Sequence, residues 1–383
     1  MDIKEQVTQL PKFAALPPDS VEKELSTFLP RSDGAPWIEH VVPAVANRIC
    51  ELVKEASKKL VHRDKEIEAV AAAFLSGVSL LLLGAPGTGK SRLIREVALL
   101  CGLGVGAGKN HSGGYFEYLL TNHTMPEELF GGPDLEALAK GLFKRITSRK
   151  LPEAEIAFLD EVFRGGSHIL NTLLTIINEK HFDSGEGTRH VPLLGLVGAS
   201  NTTPQDPELE AFLDRFPIRV WVTSIFDSKG RHNQSDDRDA ADLLHSSIKN
   251  EMNRLATGWN PEQAASDRST NRISCTNDFR FARVYLLRAM NVALHNSRRF
   301  EQFQRLFRSV RERVHLSDRS FAQLWLFAGA LDFIRKKDFR QHYPVADGHL
   351  DVFRYVSRSL HDVPFLLDRV EQHTRGLQHA GDA

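Results

Sequence analysis

The chain has 383 residues, of which 42% are hydrophobic and 26% are charged, and its 49 basic and 49 acidic side chains cancel to zero net charge. This length and composition are typical of a folded protein with two or three domains, and they exclude disorder over the whole chain. Zero net charge also excludes a polycation that coats nucleic acid, although it does not exclude a local basic patch.

The sequence carries no signal for export or membrane insertion. The N-terminal residues, MDIKEQVTQLPKF, lack the apolar stretch of a secretory signal. The longest apolar stretch, Val70 to Leu83, is short and contains Ser76, Gly77 and Ser79, so we expect no membrane span. The three cysteines are far apart and odd in number, which favours a reducing, cytoplasmic location over a disulfide framework.

In chain order, the first predicted part is a lead-in. Residues 1–40 contain five prolines among short polar runs, so we expect an irregular N-terminal segment. From Ile38 to Leu75 the apolar residues recur at helical spacing, which predicts two helices.

Residues 41–226 are predicted to form an α/β domain. Short apolar runs indicate buried strands, and helical patterns lie between them. Strands that alternate with helices favour a mainly parallel sheet. The predicted strands are Val78 to Leu83, Tyr115 to Leu120, Ile156 to Leu159, Leu193 to Ala199 and Ile218 to Val222, and the predicted helices are Lys90 to Leu100, His168 to Glu179 and Pro207 to Leu213.

Residues 227–383 are predicted to form an all-helical lid domain. A polar segment, DSKGRHNQSDDRD, follows Phe226 and has the composition of a linker. Beyond it only helical patterns recur. They cover Ala240 to Leu255, Phe279 to His295, Phe300 to Val314, Ser320 to Ile334 and Leu350 to Arg375.

The most specific motif is GAPGTGKS, Gly84 to Ser91, which fits G-x-x-x-x-G-K-[ST] at every fixed position. Its glycines let backbone N–H groups turn toward phosphate oxygens, and the helix from Lys90 directs the positive end of its dipole at them. Lys90 would bridge the β- and γ-phosphates of ATP, and the Ser91 hydroxyl would ligate Mg²⁺. The apolar LLLL before the motif and the helix after it favour this interpretation over a chance glycine turn. The predicted nucleotide-binding residues are Gly84, Ala85, Pro86, Gly87, Thr88, Gly89, Lys90, Ser91 and Arg92.

Two carboxylates follow the apolar run Ile156 to Leu159. Ligands of open α/β sheets bind at the carboxyl ends of the strands, which is where this run delivers Asp160 and Glu161. Asp160 would hold the Mg²⁺ shell, and Glu161 would polarise the attacking water. Acidic residues also end many strands without any catalytic role, so the assignment depends on the P-loop 70 residues before.

Two later residues are further candidates for catalysis. Asn201 follows the predicted strand Leu193 to Ala199 and could orient the water beside Glu161, although Asn is also a common turn former. Arg215, in the sequence LDRF, cannot easily reach its own nucleotide and could instead reach the γ-phosphate of a neighbouring subunit in a ring. The alternative for Arg215 is an ordinary surface arginine.

The order of these motifs, from the P-loop through the Asp160–Glu161 pair and Asn201 to Arg215, resembles that of AAA+ ATPases. More narrowly, the sequence resembles the MoxR family in its RavA-type branch. Two stretches carry the narrower resemblance, Thr124 to Phe182 and Gly198 to Val222. The resemblance covers Leu60 to Asp362. It implies a P-loop AAA+ core with a parallel sheet, followed by a helical lid, and ATP/ADP and Mg²⁺ as ligands.

The resemblance also assigns roles to segments outside the nucleotide motifs. The residues between Glu127 and Ile156 occupy the position of the family's helix-2 insertion, and His181 to Pro192 that of its pre-sensor β-hairpin. Both are expected to face the pore of a ring. The adenine would lie against Leu60 to Arg63, with Val61 and His62 as its contacts.

The family has a sensor-2 arginine in its lid, and two residues compete for this role. Arg319 lies in LSDRSF, which is closer to the family's S-D-R-R-W pattern than the DFR sequence around Arg280, so Arg319 is preferred. Ser320 replaces the second arginine of the pattern. Ser317 also fits a helix N-cap, which leaves a structural role for this segment open. RavA has an additional C-terminal partner-binding domain, which we expect to be absent from this chain.

The resulting functional hypothesis is an ATP-hydrolysing, MoxR-type ring ATPase. It would form a homo-oligomer, as a hexamer, and act as a chaperone-like remodeller of a partner protein, for which a von Willebrand factor A protein is the leading candidate. The alternative is a DNA-directed motor or a restriction-type NTPase subunit, which the neutral charge disfavours. A nucleotide-binding scaffold without hydrolysis is disfavoured by the intact Asp160–Glu161 pair.

Overall fold

The computed structural model describes residues 36–60, 62–103, 114–204, 206–224, 297–335, 347–357 and 362–378, and a helical segment represented by residues 276, 278–280, 282–283 and 285–287. The predicted helix Ala240 to Leu255, the linker after Phe226 and residues 1–35 lie outside these ranges.

The core of the molecule is a five-stranded sheet in the order β2-β3-β6-β1-β7, and all of its neighbouring strands are parallel. This arrangement confirms the predicted parallel α/β core. In the register of the sheet, Leu83 lies opposite Ser200 and Trp221, so these three strands end at the same edge. The strands are β1 (Leu80–Leu83), β2 (Tyr115–Leu119), β3 (Ile156–Asp160), β6 (Gly195–Ser200) and β7 (Ile218–Trp221).

Side-chain alternation along the strands divides the interior into two apolar clusters. Leu80 and Leu82 belong to one cluster, and Leu81 and Leu83 belong to the other. Because both faces are covered, β1 is apolar at every position, as expected for a buried parallel strand. The first cluster includes residues of helices α1 (Pro36–Lys59), α2 (Asp64–Ser76) and α3 (Lys90–Leu100), and the second includes residues of α6 (Ser167–Glu179) and α7 (Pro207–Leu213).

Helix α1 begins at Pro36, two residues before the helical spacing predicted from Ile38. A proline is tolerated in the first turn, because the N–H that it lacks has no partner there in any helix.

An insert and a hairpin extend from this core. The insert, between β2 and β3, contains α4 (Pro126–Phe130), α5 (Leu135–Ala139) and a 3₁₀ helix (Leu151–Glu153). The hairpin pairs β4 (His181–Asp183) with β5 (Thr188–His190) in antiparallel register, which confirms the predicted hairpin.

Insert and hairpin contact each other directly. The Arg145 N–H donates to the Ser184 carbonyl over 3.1 Å, and the Lys144 ammonium lies 3.2 Å from a Glu186 carboxylate oxygen. The two segments that the family resemblance assigns to the ring pore therefore form one surface.

In the segment predicted to be a lid, the described residues are all helical or irregular, as expected. They form α8 (Ser297–Val314), α9 (Asp318–Arg335), a 3₁₀ helix (Asp347–Tyr355) and α10 (Val363–Gln378). Their apolar side chains join the same cluster as α1 and α2 rather than a separate core. The single helix predicted over Leu350 to Arg375 is instead a 3₁₀ helix and α10, and Pro364 in the first turn of α10 favours a helix start there.

Among the described residues, none of the helices combines the length and the apolar character that crossing a bilayer requires.

Candidate nucleotide site

The P-loop connects β1 to α3 through glycines with unusual backbone angles. A Cβ atom at Gly84 would lie 2.2 Å from the Val222 carbonyl oxygen, so no larger residue fits without a backbone shift. Gly89, immediately before Lys90, has a φ of 88°, which other residues rarely adopt. A Cβ atom at Gly87 or Gly89 would meet no atom within 4 Å, so this side of the loop is open. The loop thus combines a tight fold with free space beside its backbone, as phosphate binding requires.

Lys90 lies under this loop and is largely buried. Its ammonium donates to the carbonyl oxygens of Gly84 and Ala85 over 2.6 and 3.0 Å, and to Asn201 Oδ1 over 3.2 Å. Burial lowers the pKa of Lys90, and the carboxylates of Asp160 and Glu161 oppose this shift. The three acceptors are neutral, so a phosphate group would be a stronger partner for the ammonium.

Ser91 and Asp160, the two predicted Mg²⁺ ligands, are brought together. The Ser91 hydroxyl donates to Asp160 Oδ2 over 3.4 Å, while Asp160 Oδ1 accepts from the Glu161 N–H over 3.0 Å. A hydroxyl and a carboxylate at the carboxyl end of β3, beside the P-loop, are the hard oxygen ligands that Mg²⁺ prefers. The residues present therefore fit the ion.

Asn201 links the P-loop lysine to the second carboxylate. Its Nδ2 donates to Glu161 Oε1 over 2.8 Å, while its Oδ1 accepts from Lys90. Glu161 has a left-handed backbone, with φ of 50°, and its other carboxylate oxygen lies 3.4 Å from Arg164 Nε. The predicted base and the predicted water-orienting amide are therefore in contact, together with the lysine.

The predicted adenine contacts are less fully described. Val61 lies outside the described residues, and His62 has a φ of 55° between α1 and α2. Arg92 is exposed in the first turn of α3.

Arg63 is a site residue that the sequence reasoning did not single out. Its Nη2 donates to the carbonyl oxygens of Thr88 and Thr223 over 3.1 and 3.0 Å, and its Nη1 lies 3.1 Å from Glu66. Arg63 thereby joins α2, the P-loop and the end of β7. The only sequence signal was its place at the end of the predicted adenine segment.

Arg215 and Arg319 lie near each other because the segments that carry them are in contact. The Ser317 hydroxyl donates to Asp214, which is 103 positions earlier in the chain, over 2.9 Å. Arg215 Nη1 pairs with Asp214 over 3.0 Å, and Arg319 Nη1 donates to Asn178 Oδ1, near the end of α6, over 2.9 Å. Burial lowers the pKa of Arg215, and the nearby charge of Arg319 lowers it further. Among the described residues, no hydrogen bond or ion pair joins either arginine to Gly84–Ser91.

Arg280, the competitor for the sensor-2 role, lies at the opposite edge of the sheet. Its Nη1 pairs over 2.7 Å with Glu155, which immediately precedes β3, and its Nη2 donates to the Pro192 carbonyl over 2.9 Å. The side chain is only 4% exposed. These contacts are those of a structural arginine.

Comparison with known proteins agrees with this geometry. Residues 47–235 match a family model described as "MoxR domain in the MoxR-vWA-beta-propeller ternary systems". Over 182 residues, 47% of this chain and 45% of its own length, the uncharacterized protein MJ0079 of Methanocaldococcus jannaschii is 40% identical. Protein MJ0812 of the same organism is 42% identical over 173 residues, 45% of this chain and 44% of its own length. The chain thus spans less than half the length of these two relatives.

Two further matches are more distant. The structural protein ORF618 of Acidianus two-tailed virus is 30% identical over 190 residues, 49% of this chain and 30% of its own length. The crystal structure of a candidate ATPase from Cytophaga hutchinsonii superposes with a TM-score of 0.58 over 88% of this chain and 96% of its own, at 17% identity, a likeness of fold. The P-loop, the two carboxylates and Asn201 stand at one edge of a parallel sheet, and the segment that carries them, residues 47–235, is the one that is similar to the MoxR domain.

Proposed function

We propose that the protein is a Mg²⁺-dependent ATPase that assembles into a homo-oligomeric ring, a hexamer, and remodels a partner protein. The observation that carries the ATPase assignment is the contact chain from Lys90 through Asn201 to Glu161, with Ser91 and Asp160 beside it. These contacts bring Lys90, the Ser91–Asp160 pair and Glu161 to one edge of the sheet, which supports their proposed roles as phosphate-binding cation, metal-binding pair and carboxylate base. Binding alone would not require the base.

Each residue has a separate task in this proposal. Lys90 exchanges the carbonyl oxygens of Gly84 and Ala85 for phosphate oxygens. Ser91 and Asp160 hold Mg²⁺, which neutralises charge on the β- and γ-phosphates. Glu161 accepts a proton from the attacking water, and Asn201 fixes the carboxylate of Glu161 in place.

The ring is supported by the location of Arg215 and Arg319. Neither contacts its own P-loop, and an arginine that reaches a nucleotide can stabilise charge on the transferring phosphoryl group. We propose that both reach the nucleotide of the neighbouring protomer. The active site is then complete only when protomers assemble.

A partner protein is supported by an exposed apolar surface on the insert, which we call the insert patch. It comprises Leu135, Leu138, Leu142, Phe143 and Ile146. Of the eight large apolar side chains that are exposed among the described residues, seven lie between Leu119 and Ile146. Such a concentration marks a protein-binding surface.

The insert patch adjoins the hairpin, because a Cβ atom at Gly185 would lie 2.4 Å from the Phe143 ring. We propose that this combined surface faces the pore and binds the partner. The description of the matching family model, with its vWA component, favours a von Willebrand factor A protein. A cytoplasmic location belongs to the same proposal.

Nucleotide turnover by purified protein tests the ATPase assignment. We expect phosphate release that requires Mg²⁺ and stops with EDTA. Lys90→Ala should lose ATP binding by isothermal titration, whereas Glu161→Gln should bind ATP and turn it over about 10²- to 10⁴-fold more slowly.

A matched control is Glu301→Gln, which removes an exposed carboxylate from α8 and should leave turnover unchanged. Wild-type turnover by Glu161→Gln would exclude Glu161 as the base. ATP binding without any Mg²⁺-dependent hydrolysis would reduce the protein to a nucleotide-binding scaffold.

A further inference from the structure

One carboxylate joins the core of the molecule to its lid. Asp214, the residue after α7, accepts hydrogen bonds at Oδ2 from the Ser317 hydroxyl over 2.9 Å and at Oδ1 from the Ser320 hydroxyl over 3.2 Å. The same Oδ2 accepts from Arg215 Nη1 over 3.0 Å. Two serines of the lid and one arginine of the core therefore share a single acceptor group.

The two serines determine where α9 begins. Ser317 precedes the helix, and its hydroxyl accepts from the Ser320 N–H over 3.3 Å, as an N-cap does. Ser320 is completely buried. Arg319 lies between these two serines, so the carboxylate that holds both of them also fixes the position of the Arg319 backbone.

The electrostatics of this junction require an acid. Arg215 and Arg319 carry like charges, and the charge of Arg319 adds to burial in lowering the pKa of Arg215. Asp214 is the carboxylate paired with Arg215, and both side chains are about four-fifths buried, where charges interact more strongly than in water. Without this carboxylate, the repulsion between the two arginines would be uncompensated.

We propose that Asp214 is a positioning residue that holds Arg215 and Arg319 as one unit, so that core and lid together present both arginines to the neighbouring protomer. The inference rests on the proposed function, in which the two arginines act across a protomer interface. A movement of the lid would then reach Arg215 through the serine–carboxylate contacts. Lid position in one protomer thereby sets the activity of the next nucleotide site.

Mixed rings can separate this role from a merely structural one. In a mixture of Lys90→Ala and Arg215→Ala proteins, the functional interfaces combine the arginine of the first with the P-loop of the second, so activity should return. This is the reference mixture. Exchange of subunits is verified with two affinity tags.

The substitution Asp214→Asn is then added to one partner at a time. Asparagine keeps the shape and can still accept from one serine through its single oxygen, but its Nδ2 group cannot accept from the other serine, and it lacks the charge that balances the arginines. On the Lys90→Ala protein, which donates the arginines, it should lower the recovered activity by at least about tenfold, because small displacements of reacting groups cost up to about 10²-fold. On the Arg215→Ala protein, which donates only the P-loop, the loss should be much smaller.

A structural role alone would lower the activity of both mixtures equally, because weaker folding or ring assembly does not depend on which protomer donates the arginine. Equal losses, or no loss, would overturn the inference about Asp214 and leave the proposed function intact. No activity in the reference mixture, with exchange verified, would overturn the interfacial role of Arg215 itself, and the inference with it.

Two further variants complete the experiment. Ser317→Ala combined with Ser320→Ala removes the lid contacts but keeps the Asp214–Arg215 pair. This double variant should also lower the activity more when it is placed on the Lys90→Ala protein than when it is placed on the Arg215→Ala protein. The control is Asp318→Asn, at the start of the same helix, where the carboxylate is 87% exposed and pairs with Arg311 instead. Its effect should be the same in both mixtures.

Discussion

The two edges of the central sheet use similar charged residues in opposite ways. At the amino edge, Arg280 is buried against Glu155 and the Pro192 carbonyl, at 2.7 and 2.9 Å. At the carboxyl edge, Lys90 is also buried, but it donates to two neutral carbonyl oxygens and a neutral amide oxygen. A buried cation with a carboxylate partner is satisfied, whereas one held by neutral oxygens can still gain from a phosphate.

The difference teaches that partners, rather than residue type, separate structural charge from functional charge. At the carboxyl edge, Asn201 holds a lysine and a glutamate that would otherwise attract each other. Substitutions at the two edges should therefore have effects of different kinds.

The largest expected effect is at the carboxyl edge. Arg215→Ala should lower the rate of ATP turnover by about 10³-fold, because an arginine finger stabilises charge that develops only during phosphoryl transfer. The affinity for ATP should change little, since Arg215 does not contact its own P-loop. Single-turnover kinetics together with equilibrium titration of ATP measure the two quantities separately.

The opposite result for Arg215→Ala would contradict its role as an arginine finger. If Arg215→Ala weakens ATP binding and leaves the turnover rate of bound ATP intact, Arg215 belongs with the structural arginines of the amino edge.

The second effect is at the amino edge and concerns stability. Arg280→Ala should lower the free energy of unfolding by about 3 kcal/mol, because it leaves the Glu155 carboxylate buried without its ion-pair partner. Urea denaturation measures the loss. Turnover per folded molecule should persist.

A matched variant is Arg95→Ala, which breaks a two-bond ion pair with Glu117 on the exposed edge strand β2. Because Arg95 is half exposed, we expect a loss of at most about 1 kcal/mol. Equal losses for the two variants would remove the distinction between the buried and the exposed pair.

Much of the nucleotide edge could be predicted from the sequence, for a local reason. The strands are mostly apolar runs. Asp160 ends β3, Asn201 follows β6, and the loop that leads to Lys90 and Ser91 begins directly after β1. Parallel strands bring their carboxyl ends to one edge of the sheet. Side chains that follow different strands are therefore predicted to lie near each other from local patterns alone.

Contacts between distant segments could not be predicted in this way. Arg63 binds carbonyl oxygens that lie 25 and 160 residues away, and Arg319 binds Asn178 across 141 residues. Arg280 and Arg319 both stand beside the start of a predicted helix, and their burial and partners distinguish them in the structure. The exposure of the insert patch also depends on packing, because the same apolar spacing is found in helices that face a core.

The third effect is a pH dependence of ATP binding. Burial lowers the pKa of Lys90 in the free protein, whereas bound phosphate would raise it, so binding takes up protons between the two values. The affinity is then highest below the lowered pKa and falls as the pH rises through it, by at most tenfold per pH unit for this one proton. Isothermal titration in buffers of different ionisation enthalpy would measure the proton uptake.

In the Lys90→Arg variant, the side chain keeps its positive charge over the pH range in which Lys90 titrates, since arginine is effectively always protonated. Any ATP binding by this variant should lack the alkaline fall. An identical pH profile in wild type and variant would assign the titration to another group.

The smallest expected effect on the protein itself is at the insert patch. Leu135 and Leu142 are 73% and 61% exposed, so changing both to serine removes little packing and should change the free energy of unfolding by less than about 0.5 kcal/mol. Binding of a permanently unfolded, apolar model polypeptide should nevertheless weaken by several-fold, because partly burying two leucines contributes about 1 kcal/mol. Fluorescence anisotropy of the labelled polypeptide in the presence of ATP measures this affinity.

The matched control for the patch is Leu287→Ser, which removes an exposed leucine outside the insert. If affinity depends only on total exposed apolar surface, Leu287→Ser should weaken polypeptide binding about half as much as the double variant. If the insert and hairpin form the contact surface, Leu287→Ser should leave binding unchanged while the double variant weakens it. The first outcome would show that partner binding does not depend on the insert. The second would add to the two edges of the sheet a third functional region, in which exposed apolar side chains bind the partner.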